Sequence, residues 1–196
     1  MAAARVPGPL LQAIGAVTTW LREADVPAAV IGGVAASLLG RPRVTKDVDL
    51  VAAAEDGELP RLLTLGHQHG IGERAADTID FAKVSRVLLL EHQPSGIAID
   101  LSLASLPFER EVIERAVERT IRGVAFRVAT AEDLVVMKAI ARRPRDVADI
   151  EALLDTHPNL DLERICSLLR SFTEALEADD FAGDFERLLA QKRRRK

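Results

Sequence analysis

Residues 30–51, "VIGGVAASLLGRPRVTKDVDLV", constrain the fold of this chain more than any other stretch. An apolar run, "AAVI", ends in the pair Gly32–Gly33, and an Asp-x-Asp follows after a thirteen-residue spacer, Val34–Lys46. The alternation Asp47, Val48, Asp49, Leu50, Val51 reads as a strand. Side chains on a strand alternate between faces, so Asp47 and Asp49 share one face while Val48 points into the core. Two carboxylates on one face repel each other unless a cation sits between them. A packed core has no use for such a pair.

The rest of the segment reads as strand, Gly-Gly, helix and loop leading to that strand. "AAVIG" reads as a short buried strand and "VAASLLG" as a helix closed by Gly40. Glycines without a Cβ let backbone N–H groups approach an anion closely. If a helix begins at the pair, its N-terminal dipole adds to that attraction. A third acid, Asp100, stands in the middle of the alternating run "IAIDLSL". An acid there is costly unless it is paired or hydrated.

Elsewhere the pattern predicts a helix through Leu10, Leu11, Ile14, Val17 and Leu21, with Trp20 one step off the stripe as a partly buried anchor. Asp25 and Pro27 end it. "LPRLLTLGHQHG" reads as a short helix and "GIGER" after it as a turn, not a dinucleotide fingerprint, because no strand precedes it. "RVLLLEH" and "GIAIDLSL" flank "QPSG" as a hairpin. "PFEREVIERAVER" is a helix and "TIRGVAFRVA" a second hairpin. From Thr130 onward the period is helical, with Pro144 suited to the first turn of "PRDVADIEALL". The expected fold class is α/β (α+β): a small mixed sheet flanked by helices over residues 1–128, then a helical C-terminal lobe over 129–196 that completes the cleft.

Composition narrows the function classes. With 48% hydrophobic and 29% charged residues the chain reads as soluble and globular, and its apolar runs fall short of a membrane span. "MAAARVPGPL" has no continuous apolar stretch, so no signal peptide is expected. The single cysteine, Cys166, fits a reducing cytoplasm and a filler role on a helix. Net charge is −4, so the body is not a general nucleic-acid binder, and with no tyrosine and one tryptophan a base-stacking platform is not expected. The basic tail, residues 192–196, is expected to be a solvated, mobile segment, the alternative being a tether for a nucleic-acid backbone.

Together, Gly32, Gly33, Asp47, Asp49 and Asp100 suggest a triphosphate cradle beside a Mg²⁺ site, since hard carboxylate oxygens suit that ion and three acids from adjacent strands can form a two-metal site. Here the sequence resembles the nucleotidyltransferase superfamily of polymerase-β type. "IGGVA…RVTKDVDLV", "IDLSLASLPFE" and "EDLVVMKAIARRPRDVADIEALL" carry the likeness, which runs from about residue 28 to about 155. The Arg43-x-Thr45-x-Asp47-x-Asp49 form of the motif is most similar to the abortive-infection AbiEii/MenA branch of toxin-like members. The resemblance implies a Mg²⁺-dependent, cytoplasmic transferase that moves an NMP from an NTP onto a hydroxyl and releases pyrophosphate. It implies Asp47, Asp49 and Asp100 as metal ligands, with one or two ions, and Gly32, Gly33, Arg43, Thr45, Lys138 and Asp146 around the nucleotide. Lys138, read alone, is a helix lysine snorkelling from a half-buried face; the resemblance makes it a phosphate contact and catalytic residue with Asp146 as its partner. Asp149 shares that helix face with Asp146 and is expected to matter less.

The acceptor stays open. The toxin-like branch implies the 3′ end of a tRNA and an antitoxin partner in a toxin–antitoxin pair. Alternatives are a protein side chain, an aminoglycoside-type small molecule, or a non-catalytic member that binds nucleotide and regulates a partner. His67 and His69 are expected at the surface, without a metal, and Ser37 in packing.

Overall fold

The structure, a computed structural model, describes residues 6–177 and 180–194. The chain divides into two compact units. One holds the chain up to Ser37 together with Pro42–Thr130; the other holds Leu38–Arg41 and the chain from Ala131 onward.

The first unit is built on a seven-stranded mixed sheet in the order β3-β4-β5-β2-β1-β7-β6. The strands are β1 (Ala28–Val30), β2 (Asp47–Ala52), β3 (Ile71–Glu73), β4 (Val87–His92), β5 (Ile97–Leu103), β6 (Val117–Ile121) and β7 (Val124–Val128). β2 pairs parallel with β5 and β1 parallel with β7; the other neighbours are antiparallel. The helices of this unit are α1 (Gly8–Glu23), α2 (Gly32–Leu39, whose last residues fall in the second unit), α3 (Leu59–Gln68), α4 (Thr78–Ser85) and α5 (Pro107–Arg115). The alternation in β2, β4 and β5 sends Val48, Leu50, Leu88, Leu90, Ile99, Leu101 and Leu103 into the core, all of them essentially inaccessible. The opposite face carries Asp47, Asp49, Leu89, Glu91 and Asp100, which stay partly exposed.

The α/β class, the first hairpin and the α1 stripe match expectation; the second hairpin begins earlier than expected, because α5 stops at Arg115 and Val117, Glu118 and Arg119, expected to be helical, belong to β6. "GIGER" contains a strand, β3, and α4 follows it where no helix was expected. β3 is a three-residue edge strand with Gly72 at its centre, too short to show a period. α4 buries only Thr78 and Ala82, so its apolar stripe is nearly absent.

Trp20 is fully buried and not partly so. Its Nε1 donates to the Leu62 carbonyl at 2.9 Å, which satisfies the one polar group of the ring. Gly66 makes room for it: a Cβ there would lie 3.1 Å from the ring. Trp20 thus bolts α3 to α1.

In the second unit, α6 (Ala131–Ala141), α7 (Pro144–Thr156), α8 (Leu162–Ala175) and α9 (Phe181–Arg194) form a helical lobe. Ile150, Leu153, Ile165, Leu169, Phe181 and Phe185 are among its buried side chains. The basic tail is corrected in part. Lys192, Arg193 and Arg194 continue α9, and the Lys192 ammonium lies 2.6 Å from Asp155 and 3.3 Å from the Glu151 carbonyl, so this lysine packs. Residues 195 and 196 lie outside the described residues. Cys166 is half-buried on α8, and burial pushes its thiol pKa up, which makes it a poor nucleophile. Among the described residues no helix is long and apolar enough to cross a membrane.

Replacing Trp20 by alanine removes the largest buried side chain and the Leu62 bond together. We expect a loss of about 3–5 kcal/mol in urea unfolding. A loss below about 1 kcal/mol would contradict the packing described.

Candidate active site

The acids are brought together by strand register. In the parallel β2–β5 pair, Asp49 stands opposite Asp100 and Asp47 opposite Ala98. Neighbouring strands lie about 4.8 Å apart, so the two aspartates are adjacent on one face. Asp47 sits one pleat along on that face. In the β4–β5 pair Glu91 is opposite Ala98, which places a further carboxylate in the same row as Asp47.

β1 delivers the glycines to this row. The Ile31 N–H continues the β1–β2 ladder to the Asp49 carbonyl at 2.9 Å, and α2 starts at the next residue. Gly32 has φ +59°, a left-handed conformation that disfavours any side chain. A Cβ there would stand 2.0 Å from Asp49 Oδ2. A Cβ on Gly33 would stand 2.6 Å from Thr45 Oγ1 and 3.3 Å from an Arg43 guanidinium nitrogen. The glycine pair is therefore required by the close approach of Asp49, Thr45 and Arg43. The Arg43 backbone N–H donates to Ser37 Oγ at 3.2 Å, and this holds the loop against α2; Ser37 has the packing role expected of it.

Each of the three aspartates meets a protein donor. The Gly33 N–H donates to Asp49 Oδ2 at 3.2 Å. Thr45 Oγ1 donates to Asp47 Oδ1 at 2.9 Å. An Arg74 guanidinium nitrogen donates to Asp100 Oδ1. Arg74, just after β3, escaped the sequence reading: nothing in "GIGER" signals a partner two strands across. Among the described residues, no group of three His, Cys, Asp or Glu side chains stands arranged to hold a metal ion. The donor chemistry nonetheless fits a hard divalent cation, with only carboxylate oxygens in the row. To close on such an ion, the carboxylates would turn from these donors.

Beside Arg74, Glu73 accepts from His67 at 2.7 Å. That hydrogen bond holds the Glu73 carboxyl below the usual range, against the opposing effect of partial burial. His69 turns to Glu23 at 2.9 Å. The two histidines go to different acids, each in a local side-chain contact.

In the second unit, Lys138 is buried, and its ammonium lies 2.9 Å from Asp146 and 2.6 Å from Asp149. Asp146 therefore is a partner of Lys138, and Asp149, expected to matter less, makes the shorter contact. Asp146 also accepts from the Arg143 backbone N–H at 2.9 Å and caps the start of α7. Lys138 is thus a buried cation clamping α6 to α7, in place of the half-buried snorkelling lysine its sequence context suggested.

Residues 10–183 match the profile of a family of nucleotidyl transferases of unknown function, DUF2204. The chain belongs to that family. It is accordingly a nucleotidyltransferase, of the enzyme class that transfers an NMP from an NTP. Among curated proteins none matches the sequence significantly. Among solved structures, the chain is similar to the antibiotic-resistance factor ANT(2'')-Ia in its solution structure, with TM-score 0.58 and 19% identity over 85% of this chain and 94% of that one. It is similar also to the crystal structure of ANT(2'')-Ia in complex with adenylyl-2''-tobramycin, with TM-score 0.56 and 18% identity over 86% of this chain and 98% of that one. At these identities the likeness shows the fold alone, and that fold is the nucleotidyltransferase one.

Two outcomes follow from this geometry. Gly32→Ala should cost about 1–2 kcal/mol from its positive φ alone, and more from the clash with Asp49; unfolding by urea, with wild-type stability as the contradicting result, checks it. Lys138→Met leaves two buried carboxylates without their cation and should cost about 3–5 kcal/mol. A midpoint matching wild type in the same assay would mean that the clamp is not a stabilising element.

Proposed function

We propose that this nucleotidyltransferase is Mg²⁺-dependent, that the row on β2 and β5 is its active site, and that it transfers an NMP onto an acceptor hydroxyl. The observation that carries the reading is the register pairing of Asp49 with Asp100 beside the Gly32–Gly33 turn. Asp47, Asp49 and Asp100 would hold one or two ions. A bound Mg²⁺ would offset charge on the triphosphate as pyrophosphate departs. Gly32 and Gly33, at the start of α2, favour an anion through the helix terminus and through the absence of side chains. Thr45 and Arg43 are the side chains nearest Gly33, as Asp49 is nearest Gly32. Asp100 would take the proton of the attacking hydroxyl, a contribution of roughly 10²–10⁴-fold. Lys138 and Asp146 are assigned to the nucleotide on the family resemblance. For Lys138 to meet a phosphate, its ammonium has to share or leave Asp146 and Asp149.

Different observations support two acceptors. The Arg43-x-Thr45-x-Asp47-x-Asp49 motif and the Lys138…Arg145–Asp146 element support membership of the AbiEii/MenA branch. On that reading the acceptor is the 3′ end of a tRNA, the protein acts as a toxin in the cytoplasm, and an antitoxin restrains it. Coverage of nearly the whole ANT(2'')-Ia chain supports the second reading, an aminoglycoside-type acceptor. Retention of all three acids argues against a non-catalytic, regulatory member.

The test is incubation with each α-labelled NTP and Mg²⁺ in the presence of total RNA, total protein or an aminoglycoside. Labelled RNA supports the first reading and labelled aminoglycoside the second. Asp47→Asn, Asp49→Asn and Asp100→Asn should each lower labelling by at least about 100-fold while the protein stays folded. Undiminished labelling by any one of them removes that residue from the site.

A further inference from the structure

We propose that Arg74 is a positioning residue of the carboxylate row: its guanidinium is the counter-ion of Asp100 and yields that carboxylate to a divalent cation. The inference rests on reading Asp100 as the third acid of the site. Its basis is register, and so does not depend on one side-chain rotamer. The Arg74 N–H donates to the Leu89 carbonyl at 3.0 Å, one residue beyond the β3–β4 pairing of Glu73 with Leu90. Leu89 pairs with Asp100, and Asp100 with Asp49. Arg74, Leu89, Asp100 and Asp49 thus form one line across four strands.

Two strand spacings separate Arg74 from Asp100, roughly 10 Å. That is a span an extended arginine side chain bridges over the flat of Leu89, and its guanidinium meets Asp100 Oδ1. The adjacent line, Gly72, Glu91, Ala98 and Asp47, adds two more carboxylates to the same face. Four acids on one face repel one another, and a cation on Asp100 relieves part of that. A guanidinium and a metal ion both need the Asp100 oxygens, so they compete. Arg74 and Asp100 side chains are each about one-third exposed, at 32% and 39%, so the pair is wet enough to exchange. Arg74 would therefore hold the acid in place, facing the row, until the metal and nucleotide arrive.

The experiment compares the rise in Tm on adding MnCl₂ with that on adding NaCl at matched ionic strength. Wild type, Arg74→Gln, Arg74→Met, Arg74→Lys and the double variant Arg74→Gln/Asp100→Asn are measured as full chains without nucleotide. Arg74→Met keeps the packing of the stem should the glutamine variant not fold. Loss of the competing cation should enlarge the Mn²⁺-specific rise by about 2–4 °C over wild type. Arg74→Lys should stay near wild type, and Asp100→Asn should erase the excess. Equal, non-zero rises in wild type and the neutral variants would overturn the inference alone. No Mn²⁺-specific rise in any of them would overturn it together with the cation-site reading. An Arg74→Lys response as large as that of Arg74→Gln, or an excess that survives Asp100→Asn, would also overturn it.

Discussion

The parallel pairing of β2 with β5 is the constraint on which the site depends. Backbone hydrogen bonds hold Asp49 and Asp100 side by side, about 4.8 Å apart, whatever their charges prefer. Two unit charges at such a separation repel by about 1 kcal/mol in water and by several times more where water is thinned. Val48, Leu50, Ile99 and Leu101 on the other face are the reason the register cannot slip. A shift by one residue would drive the aspartates into the core and those apolar side chains out. The core thus maintains a local electrostatic cost, and its relief by donors around the row is what gives the face its chemistry.

Those donors come from three directions. The turn after β1 supplies the Gly33 N–H, the loop before β2 supplies Thr45, and β3 supplies Arg74. Gly32 and Gly33 permit this crowding, because any Cβ at either position would overlap Asp49 or Thr45. In the second unit a related device uses the opposite balance. One ammonium, buried on Lys138, faces two carboxylates, and the same Asp146 closes the first turn of α7. Removal of the ammonium there leaves two buried carboxylates without that cation, so the clamp is costly to break.

Much of this was legible in the sequence because it rests on local period. The alternation around Asp47, Asp49 and Asp100 announces strands, and acids within apolar strands announce a face with a function. The glycine pair and Pro144 are legible for the same local reason. What lay hidden depends on pairing between distant segments. Arg74 looks like a turn residue until β3 is placed beside β4. Trp20 looks half-exposed until Gly66 brings α3 against it. Lys192 looks like part of a solvated tail until Asp155 is found beside it. Asp149 looked secondary to Asp146 because spacing along a helix gives a shared face and no distance. The position of the three aspartates follows from pattern, whereas the partners that hold them follow from tertiary structure.

The central claim is that the Asp49–Asp100 row takes a divalent cation with the nucleotide. The most direct measurement is an anomalous difference map from crystals grown with Mn²⁺ and a non-hydrolysable NTP. The account predicts Mn²⁺ density bridging Asp49 and Asp100, with Asp47 beside it and the triphosphate over Gly32 and Gly33. Ordered nucleotide and Mn²⁺ bound elsewhere on the chain, with Arg74 still on Asp100, would contradict it.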